Sequence, residues 1–347
     1  MKFPLSYLTV LSFVFLLFSC ELIEENNNLF HSSSKEENKK DQIDWLVFED
    51  DETFQKTIQK VNSLTDEERK NWEKEQNFTS LRGIYETALD EEESYIEKYE
   101  KADPKLIEQM IKEGKTHAPY VEKNREYFKF NEDGTFEPNS MTYQLAAVIN
   151  KNGLVQVGKE IRYYSFYSYK IIADGDASKI EQLMKAKETD VKNFIVVGEI
   201  FRYGGDDRTG RIEATCPDDN GDDKVEGDAY AVGSYIYDYY NTYSFRISRI
   251  VGAKAVNKNK GIFGNWYKKR TSALRTQCSS VTINDFSGGE YYTTSFDYGT
   301  NGQLEKEINN YVHYRQTNQP TLVQPIISAS GKVYIYGRGG TNCEDNY

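Results

Sequence analysis

A change in hydrophobic spacing near residue 190 constrains the fold of this chain most strongly. Before that point, apolar residues recur three and four positions apart, as at Phe54, Ile58 and Val61, which is the pattern of a helix with one buried face. From Phe194 onward the pattern is one of short strands bounded by turn residues. This order predicts an α+β fold, with a helical N-terminal half and an antiparallel β-rich C-terminal half that is sandwich- or barrel-like.

Start and stop signals predict a series of helices in the first half. Thr65, with Glu68 three residues later, has the pattern of a capping box. A longer helix is predicted from about Thr79 to Glu100. Asp103-Pro104 begins a further helix, and its predicted buried stripe consists of four apolar residues, Leu106, Ile107, Met110 and Ile111. The middle of the chain mixes predicted strands with a helical piece, Met141 to Ile149.

The first twenty residues have the layout of a secretory signal peptide. Met1-Lys2 precedes an apolar run from Leu8 to Phe18, which is followed by Ser19-Cys20. The run is shorter than the ~20 apolar residues of a membrane-spanning helix. A cysteine directly after a small residue at the cleavage site suits lipid attachment, so we predict lipidation of Cys20. An uncleaved membrane anchor and an ordinary signal peptide are the alternatives.

These patterns divide the chain into four segments. Residues 1–19 are predicted to be the lipoprotein signal peptide, and the polar residues 20–42 a disordered tether. Residues 43–190 are predicted to form a mainly helical domain with a few strands. Residues 191–347 are predicted to form an antiparallel β-rich domain.

The charge balance and the cysteines exclude several classes of site. The chain has 43 Lys and Arg against 55 Asp and Glu, a net charge of −12, which disfavours general nucleic-acid binding. Besides Cys20, the cysteines are Cys216, Cys278 and Cys343, which allow at most one intramolecular disulfide with all three pairings open. Their spacing fits no zinc motif, and we predict no cofactor.

One acidic loop is a candidate metal site. Asp218, Asn220 and Asp222 occupy the first alternating positions of an EF-hand-like calcium loop. The residues that such a loop needs at 223 and 229, Gly and Glu, are Asp and Ala here. An acidic surface turn is therefore the favoured interpretation.

A second charge feature is a segment rich in cations. No acidic residue lies between Asp238 and Asp285, whereas nine Lys and Arg residues do. This predicts an anion-binding patch for an anionic glycan, an envelope lipid or a protein, formed by Arg249, Lys254, Lys258, Lys260, Trp266, Lys268, Lys269 and Arg270. The alternative, which we favour, is that these cations pair with acidic residues of the same molecule.

The sequence lacks the enzyme signatures that we tested. It contains no HExxH, G-x-S-x-G or P-loop motif, and its histidines, His31, His117 and His313, are isolated. We predict no catalytic residue and favour a non-catalytic binding or structural module. The alternative is a glycan-acting enzyme or an accessory protein of glycan uptake, since the carboxylate pair of a glycosidase has no fixed sequence spacing.

A series of apolar and turn segments stands in a distinctive order along the chain. The segments are Trp45-Leu46-Val47-Phe48, Phe54, Thr65-Asp66-Glu67-Glu68 with Trp72, Phe78-Thr79-Ser80-Leu81-Arg82 with Tyr85, Asn150 to Gly158, and Gly261-Ile262-Phe263-Gly264-Asn265-Trp266. In this order they resemble a family of uncharacterised Gram-negative bacterial lipoproteins. The resemblance supports lipidation at Cys20. Glu24 and Glu25, which follow it, resemble the surface-export signals of some Gram-negative lipoproteins, so we expect attachment to the outer membrane, on its periplasmic face or at the cell surface. The family resemblance implies no activity, substrate or catalytic residue.

Overall fold

The computed structural model of the protein has an α+β fold, as the sequence predicts. It describes residues 44–203, 211–214, 223–240, 244–269, 273–284, 291–300, 305–317, 326–336 and 343–346. Helices are concentrated in the N-terminal part of the described chain, and the C-terminal part consists of antiparallel strands.

Five of the six α-helices among the described residues precede residue 124. The helices are α1 (Asp51–Ser63), α2 (Asp66–Glu75), α3 (Leu81–Tyr99), α4 (Pro104–Lys112), α5 (Pro119–Lys123) and α6 (Ile180–Lys185). Short 3-10 helices cover Arg125–Tyr127, Leu145–Ala147, Ala177–Lys179 and Val191–Asn193.

The described strands are β1 (Val47–Phe48), β2 (Phe128–Phe130), β3 (Phe136–Pro138), β4 (Leu154–Val157), β5 (Glu160–Tyr164), β6 (Ser168–Ile172), β7 (Ile195–Tyr203), β8 (Arg211–Ala214), β9 (Asp223–Asp238), β10 (Ser244–Lys260), β11 (Trp266–Lys268), β12 (Ala273–Asn284), β13 (Tyr291–Thr300), β14 (Glu305–Thr317), β15 (Ile326–Tyr336) and β16 (Cys343–Asn346). The largest sheet has ten strands in the order β1-β4-β5-β6-β7-β9-β10-β11, with β8 paired to β9 and β14 paired to β10. Only β1 and β4 pair in parallel among these.

Two smaller sheets accompany the large one. The order of the four-stranded sheet is β13-β12-β15-β16, and β2 and β3 form a separate hairpin. Strands β12 and β15 lie close to β9 and β10 of the large sheet. Neither the ten-stranded nor the four-stranded path closes on itself among the described strands, so the barrel-like alternative does not apply to them.

The large sheet contains strands from both sides of residue 190. The hairpin of β5 and β6 precedes that residue, β7 follows it, and β6 and β7 are hydrogen bonded through five registered residue pairs. The helical part and the β-rich part are thus connected by continuous backbone pairing. The division of the chain into two domains at this residue stays a prediction.

Side-chain caps fix the beginnings of the first four helices. Thr65 and Glu68 form the predicted capping box at α2, with hydrogen bonds in both directions. The side chains of Asp50, Ser80 and Asp103 accept backbone N–H groups at the starts of α1, α3 and α4. Such caps contribute about 0.5–2 kcal/mol each, because they satisfy donors that the helix itself leaves unpaired.

Two predicted details are wrong. Only Met110 of the predicted α4 stripe is buried, whereas Leu106 and Ile111 are 43% and 44% exposed. The reason is that α4 meets the core through Met110, which packs with Ile96, Phe263 and Tyr267, and through the partly buried Ile107. In the segment Met141 to Ile149, only Leu145–Ala147 is helical, as a 3-10 turn. That segment is buried on all sides, so its apolar spacing reflects burial rather than one face of a helix.

Candidate functional site

Several predicted site residues lie outside the described part of the chain. Cys20 falls in residues 1–43, and the candidate calcium ligands Asp218, Asn220 and Asp222 fall in residues 215–222. Within the described ranges, no group of three or more His, Cys, Asp or Glu side chains is arranged to hold a metal ion. The metal site in the acidic loop stays a prediction.

Lys258 of the cationic segment forms an internal ion pair. Its side chain is 4% exposed, and its Nζ donates to the Asp133 carboxylate at 2.7 Å. Burial would raise the pKa of Asp133, but hydrogen bonds from Lys258 and Thr135 outweigh it and lower the pKa to about 2. Asp133 lies in the turn between β2 and β3, so this pair joins that hairpin to β10.

Lys268 is also buried and meets the long helix. Its side chain is 3% exposed, its Nζ donates to the Tyr85 hydroxyl at 2.6 Å, and the same ammonium lies 5.2 Å from the Tyr85 ring centroid. Tyr85 is itself fully buried on α3, where its ring contacts Phe128, Phe136 and Tyr143 edge-on. Lys268 therefore connects β11 to the core around α3.

Of the other residues of the predicted patch, Lys260 and Trp266 lie opposite each other in the register of β10 and β11. Lys260 is exposed, and Trp266 and Lys269 are half-buried. Arg249 and Lys254 lie on β10, opposite His313 and Glu307 of β14 in backbone register, and Arg270 is outside the described residues. Two of the eight predicted members are thus turned into the molecule, and a patch formed by the whole set stays a prediction.

Arg246, from the same basic segment, takes part in a larger buried charge cluster. Both of its terminal nitrogens donate to the Glu160 carboxylate at 2.8 Å, and Arg162 donates to the same carboxylate at 2.8 and 3.0 Å. Arg162, which is 2% exposed, also contacts Asp51 at the start of α1, at 2.5 and 3.1 Å. The cluster joins α1, β5 and β10.

The electrostatics of this cluster hold Glu160 ionised. Burial alone would raise the pKa of its carboxyl, but the hydrogen bonds from Arg246 and the charge of Arg162 lower it to about 2. Arg246 binds the Glu160 carboxylate through two nitrogens, and Arg162 binds the same carboxylate. The three side chains therefore satisfy one another through charge-assisted hydrogen bonds. Such a carboxylate suits a structural role better than acid–base chemistry near neutral pH.

A second buried network lies between α2 and α3. Arg69, which is fully buried, donates to Glu73 at 2.7 Å and also contacts Glu86. Arg82 and the Tyr143 hydroxyl reach the other oxygen of Glu86, at 2.7 and 2.8 Å. Burial would raise the pKa of Glu86, but Arg82 and Arg69 outweigh it and lower that pKa. This network fixes the spacing of the two helices.

His117 is buried between acidic and aromatic neighbours. Its Nδ1 lies 2.7 Å from Oε1 of Glu92, whose other oxygen accepts the N–H of Ala118 at 2.7 Å. The imidazole contacts the rings of Phe130 and Phe136 edge-on. His117 therefore ties the segment before α5 to α3, as a packed residue.

Backbone register excludes one of the three possible disulfide pairings. Cys278 lies opposite Gly331 and Cys343 opposite Ile335, on the two sides of β15. Two strands separated by a third are roughly 9–10 Å apart, whereas a disulfide requires Cα atoms within about 7 Å. Cys278 and Cys343 therefore do not form a disulfide with each other in this fold. Their pairings with Cys216 stay open, because Cys216 is outside the described residues.

Among the residues whose side-chain exposure the structure describes, the most exposed aromatic group is at the turn between β5 and β6. Tyr167 is 71% exposed there, and the neighbouring Phe166 is half-buried with its ring 4.7 Å from that of Tyr167. We call Phe166 and Tyr167 the aromatic tip. An aromatic ring held out to solvent on a short hairpin is a feature of binding surfaces, where rings supply contact area at low entropic cost.

Groups from distant segments fix the backbone of the aromatic tip. Asn139 accepts the N–H of Phe166 at 3.0 Å, and Arg202 donates to the carbonyl oxygens of Phe166, Ser140 and Met141 at 2.8 to 3.2 Å. Within the turn, the Ser165 N–H donates to the Ser168 carbonyl oxygen at 2.8 Å. The tip is thus held from outside its own hairpin, and Tyr167 is presented on a rigid support.

Two cations lie over the Phe166 ring of the aromatic tip. The Arg202 guanidinium carbon lies 3.6 Å and the Lys129 Nζ 4.2 Å from the Phe166 ring centroid. Nearby, the Lys151 Nζ lies 5.7 Å from the Tyr127 ring, and the Tyr127 carbonyl accepts the N–H of Asn139. These distances are those of cation–π contacts. The tip, Tyr127, Lys129, Lys151 and Arg202 together form what we call the aromatic face.

Sequence reasoning missed the aromatic face. The turn at Ser165-Phe166-Tyr167 contains no Gly, Pro, Asn or Asp, so the segment Ile161 to Ile172 has the pattern of one aromatic strand region. Its cations come from β2, β7 and the turn before β4, which are separate in sequence. Tyr167 is exposed within a run of buried and half-buried aromatic residues because it lies at the turn of the hairpin.

Among the described residues, no helix combines the length and the apolar character that a membrane crossing needs.

Comparisons with known proteins give little to transfer. No family model matches the chain, and no curated protein matches it. One solved structure with similarity is that of a DUF4848 family protein from Bacteroides thetaiotaomicron VPI-5482, at 14% sequence identity and a TM-score of 0.29. The match covers 87% of this chain and 96% of that chain. A similarity this low supports no conclusion about fold or function.

Proposed function

We propose that this protein is a lipid-anchored envelope protein that binds glycans without modifying them, and that the aromatic face is its binding surface. The observation that carries the proposal is Tyr167, 71% exposed on a turn that Asn139 and Arg202 hold rigid. A flat exposed ring can stack on the apolar face of a sugar. A support that is fixed before binding lowers the entropic cost of association.

The cations of the aromatic face favour a glycan that carries negative charge. Lys129, Lys151 and Arg202 lie beside its rings. Because Nε and Nη2 of Arg202 already donate to backbone carbonyl oxygens, the ammonium groups of Lys129 and Lys151 are the ones that bind carboxylate or sulfate through charge-assisted hydrogen bonds. Glu137 lies opposite Lys129 in the register of β2 and β3, so the face is not uniformly positive. We therefore expect a ligand with a few charges spread along a neutral chain.

A glycan array tests this function directly. We expect the full-length chain, solubilised in detergent, to bind acidic oligosaccharides, and Tyr167→Ala to weaken that binding by about tenfold or more. Tyr167→Phe keeps the ring and should retain affinity. Leu106→Ala is the control. It truncates an exposed apolar side chain on α4, outside the aromatic face, and should bind as the unaltered protein does.

Three outcomes would contradict the proposal. They are the absence of binding to any glycan, equal binding by Tyr167→Ala, and the release of shortened oligosaccharides during incubation. The last outcome would support the alternative, a glycan-acting enzyme.

The anchor is tested separately at Cys20. Its proposed thioether to a diacylglyceryl group would place the soluble body at the outer membrane, and two or three acyl chains hold a protein on a bilayer almost irreversibly. Cells that express the chain should incorporate labelled palmitate into it, and Cys20→Ser should abolish both the label and sedimentation with membranes. Membrane association of Cys20→Ser without any acyl mass would contradict the anchor.

A further inference from the structure

An open pocket lies between α6 and the segment that leads into β7. Its volume is about 860 Å³, which is within the range of sites that bind small molecules. Val191, which is 45% exposed, supplies the apolar lining that a ligand can reach, because the neighbouring Ile195 is fully buried. Gln182 supplies a polar group, and its Nε2 donates to the Asp190 carboxylate at 3.3 Å. We call this space the α6 pocket. It is separate from the aromatic face, because no residue of that face lines it.

The loop that forms one side of the α6 pocket is held in a fixed conformation. Asp190 and Ile195 exchange backbone hydrogen bonds of 2.9 and 3.0 Å, which close the loop, and the Asp190 carboxylate accepts from the Asn193 side chain at 2.6 Å. Between them Phe194 has φ 61°, the left-handed region, and its ring stacks on Tyr240 at 5.0 Å. A bulky residue adopts that conformation only where its surroundings impose it, and such positions are concentrated at binding sites.

The charges around the α6 pocket divide into engaged and available groups. Glu181 and Lys185 pair with each other at 2.5 Å, and Asp190 is engaged within its loop. Hydrogen bonds from Asn193 and, more weakly, the charge of Lys192 lower the pKa of Asp190. Lys187, Glu188 and Lys192 also line the pocket, and none of them has a salt-bridge partner within 4.0 Å among the described residues. The available set is therefore two ammonium groups and one carboxylate. Such a set complements a ligand that has one negative charge and several hydroxyl groups.

We propose that the α6 pocket binds an acidic monosaccharide, a sugar with a single carboxylate. Lys187 and Lys192 bind the carboxylate, and Glu188 and Gln182 bind hydroxyl groups. Val191 contacts the apolar face of the ring. This site is independent of the glycan surface proposed above.

Calorimetric titration with glucuronate tests the site on the full-length chain. We expect glucuronate to bind, and both glucose and acetate to bind at least tenfold more weakly, because each lacks half of the recognised groups. The double variant Lys187→Gln with Lys192→Gln should lower the affinity for glucuronate by at least tenfold. Tyr167→Ala should leave it unchanged, which separates this site from the aromatic face.

A matched control separates a built site from general attraction. Lys70→Gln with Lys74→Gln also removes two positive charges, here from the exposed side of α2. This variant should bind glucuronate with unchanged affinity. Equal loss in this control, or no heat of binding to the unaltered protein at millimolar glucuronate, overturns the proposal. All four lysines are exposed, so we expect both double variants to fold normally. Circular dichroism of both variants checks this.

Discussion

Cations serve opposite purposes in two regions of this molecule. Around β10 and β11, Arg246, Lys258 and Lys268 are directed inward and meet groups from α3, β5 and the β2–β3 turn. At the aromatic face, Lys129 and Arg202 lie beside Phe166 next to an exposed tyrosine. The difference teaches that a run of cations in the sequence does not indicate a binding surface, because its counter-charges can come from anywhere in the fold.

The first prediction concerns the inward region, where the largest effect is expected. Glu160→Ala removes the carboxylate shared by Arg162 and Arg246. Because loss of one partner of a buried pair leaves charge uncompensated, we expect the free energy of unfolding to fall by about 3–5 kcal/mol. Denaturant unfolding measures this, with Glu181→Ala, an exposed carboxylate, as a control that should change it by less than about 0.5 kcal/mol. A small change in the free energy of unfolding of Glu160→Ala would mean that the cluster does not stabilise the fold.

The second prediction is that acid lowers the free energy of unfolding through the same cluster. The pKa of Glu160 is about 2 in the folded protein against 4.5 for an ordinary Glu, so its stabilisation is complete above about pH 4.5 and is lost as the pH falls toward 2. The expected decrease in the free energy of unfolding is about 3 kcal/mol. Asp133, whose pKa is also about 2, adds to it in the same direction. Unfolding curves between pH 2 and 6 measure it, and Glu160→Gln should flatten the dependence.

The third prediction separates the two interpretations of the cationic segment. Lys268→Glu with Arg270→Glu puts a carboxylate against the buried Tyr85 hydroxyl, so we expect a lower melting temperature and about 2 kcal/mol or more of lost stability. Retention on an anionic matrix should not change. Lost retention at an unchanged melting temperature would instead show that the segment is an anion-binding patch.

The smallest effect is expected at the outward region. Tyr167→Ser should change the free energy of unfolding by less than about 0.5 kcal/mol, because its side chain is 71% exposed. Thermal unfolding by circular dichroism measures it, and Phe166→Ala is the contrast, since its ring packs against two cations and should contribute more. A large loss in Tyr167→Ser would assign Tyr167 to the fold rather than to binding.

Local patterns in the sequence predicted much of the helical part. The capping box at Thr65 and the N-cap at Asp103 depend only on residues within one turn of each helix, so they could be identified without tertiary information. The stripe on α4 was wrong at Leu106 and Ile111, because spacing shows that a face is apolar and does not show what packs on it. The hairpin turn at Tyr167 was missed because its two central residues, Phe166 and Tyr167, are not typical of turns.

The sequence by itself determined the α+β class, the helix caps and the presence of a basic segment, since each depends on composition or on neighbours along the chain. Only the tertiary structure decided which cations are buried and which aromatic ring is exposed. Lys258 and Asp133 are 125 residues apart, and Lys268 and Tyr85 are 183 apart. The physical reason is that burial and charge pairing are set by contacts between distant segments, which local spacing does not encode.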